Sequence, residues 1–295
     1  MNKKNPIYQI ARTGWLFFKK VTSYISYIPY YIFKPQLPQN SKDTPKIVVS
    51  FTTYPARVKC LPLVIGSIVR QTRQPDIVVL YLSKKQFSDL DNPIFDSIRK
   101  QGVKITLVDD DLRSHKKYFY AMQEYAESIV ITIDDDIIYD KYMIEDLYKS
   151  YLKHPKAVSA KRVHKIKFDS EKKVLPYLKW GYDTKELIDI ESLELVATGC
   201  GGILYPAGSL NKSWNDPEGI KSTCLRADDL WLKVMEVLNS IPVVLVKSRS
   251  YKLKHVWGTD LDGLANDNVL NDGNDVQLAN ICRYLDVDLH GLTHR

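Results

Sequence analysis

From Lys46 onward the chain repeats one unit: an apolar, β-branched run followed by an amphipathic stretch, with short connections between them. Lys46–Thr53, Asp76–Leu82, Val103–Val108 and Ile129–Ile133 read as strands. Leu61–Gln71, Asn92–Gln101, Ser114–Glu127 and Lys141–Leu152 read as the helices that follow them. Such alternation predicts an α/β fold: a Rossmann-like, mixed and mostly parallel sheet flanked by helices, in a single main domain. Ligands of these sheets bind beyond the carboxyl ends of the strands. The fourth strand runs out at that edge into Asp134, Asp135 and Asp136.

The second half is less regular. Strands are expected near Ala157–Val163, Gly202–Tyr205 and Val243–Val246, and helices near Ala227–Asn239 and Asn274–Leu285. With 44% hydrophobic and 26% charged residues, 295 residues can bury a sizeable core. The net charge of +7 is unevenly spread, because Lys3, Lys4, Arg12, Lys19, Lys20 and Lys34 all precede the first acid, Asp43. The body is therefore near neutral, which argues against a basic nucleic-acid groove across it. Cys60, Cys200, Cys224 and Cys282 are scattered with no CxxC pair, as expected of isolated thiols in a reducing, cytoplasmic compartment.

Residues 1–45 form a basic, aromatic arm and linker. The longest uncharged run, Val21–Phe33, is too short to span a bilayer and contains Pro29. At helical spacing Ile10, Gly14, Phe17, Val21, Tyr24, Ile25 and Ile28 share one face, opposite Arg12, Lys19, Ser23 and Ser26. Such a helix suits an interfacial anchor on the cytoplasmic membrane face through residues 1–40. The alternative is a helix packed on the core or on a second subunit, which would make the chain an oligomer. Pro35, Pro38, Asn40 and Ser41–Pro45 then read as the linker.

Four short stretches carry candidate chemistry. Three successive carboxylates after a buried strand are costly unless solvated or bound to a cation, so Asp134–Asp136 is a candidate site for Mg2+ or Mn2+. If the backbone stays extended, Asp134 and Asp136 point to one side. An acidic turn capping the next helix is the competing reading. Asp109, Asp110 and Asp111 also follow a strand and could be the metal site on local grounds. Asp134–Asp136 is favoured by its place after four strands and its apolar flanks, and the earlier run reads as a loop and helix N-terminus that brings a carboxylate near a base or ribose. The glycines of Thr198–Pro206 allow backbone to approach a ligand or relieve a crowded turn. Asp228 and Asp229 open a helix, where acids also serve as caps. Thr53 and Arg57 follow the first strand, and Arg57 is a candidate for the nucleobase side. Lys116 and Lys117 either meet phosphate charge or form a solvated helix face. Of the histidines, His255 is the candidate metal ligand; His115, His154, His164, His290 and His294 are expected at the surface.

In this order, the acidic run after the fourth strand, the glycines of 199–202 and the acid pair of a later helix resemble the GT-A glycosyltransferases, specifically bacterial relatives of the inverting, DxD-containing family 2 enzymes. The resemblance spans roughly Lys46 to Leu285. It implies a nucleotide-sugar donor, UDP-linked by preference, and a saccharide or lipid-linked acceptor in surface polysaccharide or glycoconjugate synthesis. Residues 46–140 would be the nucleotide-sugar-binding half and 141–295 the acceptor-binding half. Asp136 and His255 would hold the metal. Asp134, with Thr53, Arg57, Asp111, Lys117, Asp135, Gly201 and Gly202, would bind the donor. Asp229, followed by Leu232 in the family's acid-x-x-Leu pattern, would be the general base, although Asp228 replaces the usual glutamate and leaves the choice between the two acids open. The chain lacks the QxxRW motif and multiple spans of processive synthases, so transfer of one sugar is expected. Two other classes compete. A haloacid dehalogenase-like phosphatase also has a strand-end DxD, but on an early strand. A sugar-binding module would keep the fold without turnover.

Overall fold

The structure, a computed structural model, describes residues 6–32, 34–37, 45–259 and 273–294. Of the linker assigned above, residues 38–44 lie outside the described residues. Four parallel strands follow the alternation read from the sequence: β1 (Ile47–Thr52), β2 (Ile77–Ser83), β3 (Val103–Val108) and β4 (Ile129–Thr132). Between and after them run α2 (Leu61–Ile68), α3 (Pro93–Lys100), α4 (Lys116–Glu124) and α5 (Met143–Lys153), preceded by α1 (Pro6–Ile32). The later strands are β5 (Val158–Ala160), β6 (Val163–Lys165), β7 (Glu191–Ser192), β8 (Leu195–Ala197), β9 (Ile203–Tyr205) and β10 (Val243–Leu245). They extend the sheet to eight strands in the order β3-β2-β1-β4-β9-β5-β10-β7, while β6 and β8 form a separate antiparallel pair. The sheet is mixed and mostly parallel, with helices on both faces of one unit.

Strand periodicity explains the two faces. Val49, Phe51, Leu80 and Ile131 pack in one apolar cluster with α2, α3 and α5 residues such as Val64, Ile98 and Leu147. Their neighbours Val48, Val79 and Val130 point the other way, against Ala121 of α4. Farther along that face, Trp231 and Met235 of α7 (Asp228–Leu238) pack with Val158, Ile203 and Val243.

Two features of the order create a crevice. The chain leaves β1 toward β2 and β3, then returns to β1's other side as β4, so the carboxyl ends of β1 and β4 lie side by side. β9 runs antiparallel to β4, with Thr132 opposite Ile203, so the segment entering β9 lies at the end of β4. Sequence periodicity missed the short strands β6, β7 and β8, and the helices Pro217–Thr223 (α6) and Leu289–Thr293.

α1 differs in an instructive way. Its packed face carries Ser23, Ser26, Tyr27 and Tyr30, assigned partly to the polar side above. The Tyr27 hydroxyl accepts from Trp257 N at 2.9 Å, Lys254 Nζ donates to Ser26 Oγ at 3.1 Å, and Tyr30 covers Gly66 of α2. Phe17, Val21, Tyr24, Ile25 and Ile28, the expected apolar face, are exposed. Core packing and an open apolar face are therefore both present, on opposite sides of one helix.

Candidate active site

The acidic run begins as β4 ends. Asp134 N donates to the buried Tyr139 hydroxyl at 2.8 Å, and the backbone turns at Asp135 and Asp136. The extended geometry expected from sequence is therefore corrected: Asp134 parts from its two neighbours. Asp135 and Asp136 face the loop after β1, where Arg57 Nη1 lies 3.0 Å from a carboxylate oxygen of each. Thr53 Oγ1 donates to the other Asp135 oxygen at 2.5 Å. Thr53 and Arg57 thus join the acidic run by direct contact.

Asp134 turns instead toward α4 and α7. Lys117 Nζ lies 2.8 Å from Asp134 and 2.9 Å from Asp228, bridging the two acidic motifs. Both Lys116 and Lys117 are buried, which overturns a solvated helix face. Burial disfavours the Lys117 charge, but Asp134, Asp228 and Asp229 outweigh it and hold its pKa well above the usual range. Asp228 and Asp229 are not spent on capping, since Ala227 is the cap residue and no side chain bonds there. Burial raises Asp228, yet Lys117 and His115 carry its carboxyl below the usual range. Asp229, partly exposed at the surface, accepts the Gly199 N–H at 3.2 Å. Burial and the adjacent Asp228 push its pKa well up.

Of the glycines, the structure brings Gly199 to the cluster: an added Cβ there would lie 2.8 Å from Lys117 Nζ and 3.2 Å from Asp134. Gly201 instead backs onto the Arg162 backbone, and Gly202 has φ +86° against Met143, so both shape the turn. Asp111 sits in a separate group beyond β3, 2.5 Å from Lys116 Nζ and bonded by Gln86 at 3.0 Å. Asp109 and Asp110 pair with lysines nearer the surface.

His255 reaches the acidic run through the main chain. Val256 N donates to Asp136 O, and Ile138 N to Lys254 O, both at 2.8 Å, placing His255 opposite Ile137. Its charged form would favour ionised Asp136, whose pKa burial, Asp134 and Asp135 push up to about 6 despite Arg57. The surface expectation fails for His115 and His164, both buried. His115 bonds Tyr118 at 2.8 Å and the Cys224 carbonyl at 2.9 Å, and burial lowers its pKa to about 4.

Five carboxylates, Asp134, Asp135, Asp136, Asp228 and Asp229, thus share the cations Arg57 and Lys117. Among the described residues no three metal-binding side chains already form a cage. The surplus negative charge nevertheless fits a divalent cation completed by ligand phosphates, which commonly needs only one or two protein carboxylates. Sequence reasoning missed Gly199 as the contacting glycine, Tyr139 as the anchor of Asp134, and Lys117 as the bridge. Only Lys117 left a local signal, a lysine following the upstream acids.

No protein-family model matches this chain, and no curated protein matches it. Among solved structures it is similar to S. aureus TarS 1–349 in complex with UDP, at 15% identity and TM-score 0.45, covering 69% of this chain and 59% of that one. The mannosyltransferase PcManGT from Pyrobaculum calidifontis, in complex with GDP-Man and Mn2+, is similar at 13% identity and TM-score 0.41, covering 82% and 69%. A CMP:2-keto-3-deoxy-manno-octonic acid synthetase complexed with CTP is similar at 13% identity and TM-score 0.40, covering 68% and 87%. The chain spans less than two thirds of the TarS chain, and its own residues carry the functional reading.

Proposed function

We propose that this chain is a metal-dependent, inverting GT-A glycosyltransferase of the family 2 kind, moving one sugar from a nucleotide-sugar to a saccharide or lipid-linked acceptor. The observation that carries the reading is the meeting of two acidic motifs, Asp134–Asp136 and Asp228–Asp229, across Lys117 at the carboxyl edge of β4. A carboxylate cluster with surplus charge on one side and a further, less encumbered carboxylate on the other suits a displacement that expels a diphosphate and deprotonates a hydroxyl. Residues 46–140 would bind the donor, UDP-linked by preference, with Thr53, Arg57, Asp111, Lys117, Asp134 and Asp135 along its path. Residues 141–295 would take the acceptor. Asp136, with His255 beside it, would hold Mn2+ or Mg2+, which when bound offsets the charge of the leaving diphosphate.

Asp229 is the better candidate base. Asp228 serves as counter-ion to Lys117, whereas Asp229 has its carboxyl raised and keeps partial exposure. A raised carboxyl is the stronger proton acceptor once ionised. The phosphatase alternative wants its acids on an early strand, and β1 ends at Thr52 with Thr53 after it. α1 would rest on an anionic membrane surface: Trp15, Phe17, Phe18, Ile25 and Ile28 are exposed, with Lys19 and Lys20 among them. No helix among the described residues is long and apolar enough to cross a membrane.

The test is transfer from UDP- and GDP-sugars with Mn2+, comparing the native chain with Asp229→Asn. Turnover should fall by about two to four orders of magnitude with nucleotide affinity nearly unchanged. Collapse in Asp228→Asn with normal turnover in Asp229→Asn would exchange the two roles. Absence of nucleoside diphosphate binding to the native chain, with or without metal, would overturn the reading.

A further inference from the structure

The turn that presents Gly199 to the carboxylates is held from behind by a cation. Arg162 Nη1 donates to Thr198 Oγ1 at 3.0 Å and approaches Cys200 Sγ at 3.6 Å. One residue along, Gly199 N meets Asp229. The Arg162 guanidinium lies 5.0 Å from the Tyr182 ring centre, and Tyr182, largely exposed, stacks on buried His164 at 4.1 Å. Tyr177 borders the same group: Asp229, Tyr182 and Arg162 all act on its hydroxyl.

Charge balance around this group is lopsided. Asp183 is shared by Arg162 at 3.7 Å and Lys185 at 2.8 Å, so two cations divide one carboxylate. The Nη1 contacts of Arg162 go to an uncharged hydroxyl and to a thiol whose pKa burial raises to about 11. Buried His164 is neutral at ordinary pH and adds no counter-charge, its pKa lowered to about 3 by burial and Arg162. Nearby, Lys161 and Lys165 have carboxylates of their own, Asp140 and Glu194, so the imbalance lies at Arg162 and Lys185. A guanidinium beside aromatic hydroxyls is a common way to hold an anionic oxygen group.

We propose that Arg162, with Tyr182 and Lys185, binds an anionic group on the acceptor, phosphate or carboxylate, so that the acceptor is a charged saccharide whose hydroxyl is delivered to Asp229. This rests on the glycosyl-transfer reading and adds the acceptor's chemical class to it. Arg162 is here a binding residue and takes no part in bond making.

Titration of the free protein with methyl glucoside, glucose 6-phosphate and glucuronate, followed by protein NMR at low salt, tests the proposal. One of the anionic sugars should bind roughly tenfold more tightly than the neutral one, about the value of a single charge-assisted contact. Which of the two is preferred separates phosphate from carboxylate. Arg162→Gln should abolish the preference. Asp183→Asn should strengthen it several-fold, and asparagine tolerates the φ of +46° found there, so this variant reads the idea even if Arg162→Gln does not fold. Equal binding of all three sugars to the native chain, or a preference that survives Arg162→Gln, overturns the proposal. Nucleoside diphosphate binding with Mn2+, measured in parallel, should be lost in Asp136→Ala and kept in Asp183→Asn. Its absence from the native chain would sink the glycosyltransferase reading separately.

Discussion

Lys117→Met tests the junction of the two acidic motifs most directly. Methionine nearly matches the lysine stem in volume, so the substitution removes the charge and little else. The native ammonium lies within 2.9 Å of Asp134 and Asp228 and is buried. Breaking a buried pair by removing one partner costs about 3–5 kcal/mol, because the remaining charge is left without compensation. The sign with pH follows from the carboxylates. Without Lys117 the folded-state pKa of Asp228 rises above its unfolded value, so the folded protein binds more protons than the unfolded one, and stability falls as pH climbs past the ordinary carboxylate range. The deficit relative to the native chain should therefore be largest at neutral pH and shrink to ~1 kcal/mol near pH 4, where only packing is lost. Urea unfolding of both proteins at pH 4, 5.5 and 7.5 measures this. A deficit that stays constant across that range, or one below ~1 kcal/mol at pH 7.5, would refute the bridging role.

Three further outcomes follow from the same geometry. Gly199→Ala should displace Lys117 from Asp134, lowering turnover at least about tenfold and stability by about 1–3 kcal/mol through overpacking, as read by steady-state kinetics and thermal melting. His115, held neutral with a pKa of about 4 against 6.5 unfolded, makes the native chain lose ~3 kcal/mol as pH falls from 6.5 to 4. His115→Asn should flatten that part of the urea-stability profile, and an unchanged slope would count against the assignment. Replacing Phe17 and Ile25 by serine should cut binding to anionic vesicles roughly tenfold without shifting Tm, because both side chains are exposed, whereas deleting residues 1–32 should lower Tm by uncovering Leu63 and Val256.

The parallel half of the sheet was legible because β1, β2 and β4 are buried on both faces and every strand is followed by a helix, so periodicity and apolar runs agree from Ile47 to Lys153. β7 is two polar residues long and β6 mixes Val163 with His164 and Lys165, so neither stands out as an apolar run, while β8 is as short as the later strands that were anticipated. At the candidate site, the acidic clusters could be read because unpaired carboxylates beside apolar runs are costly. Their mutual arrangement could not. The Lys117 bridge joins residues far apart in sequence, and whether a lysine faces solvent or two aspartates depends on how α4 and α7 lie across the sheet. Gly199 was indistinguishable from Gly201 and Gly202 for the same reason: each is a glycine in a tight turn, and the difference is what stands opposite.

The reversal at β9 also sets where this protein can take an insertion far from the carboxylate cluster. β9 enters at the carboxyl edge of β4 and leaves at the other, where Ala207 and Gly208 are exposed and Gly208, at φ +71°, turns the chain with open space around it. From there the chain returns through α6 before Asp228 re-enters the site. The polypeptide thus visits a remote, open tip between its two most important loops, and the hydrogen-bonded length of β9 insulates one from the other. That tip is a natural splice point. A reporter, an affinity handle or a second binding module could be grafted between Ala207 and Gly208 while Thr132 and Ile203 keep the glycine turn in register with Asp134–Asp136.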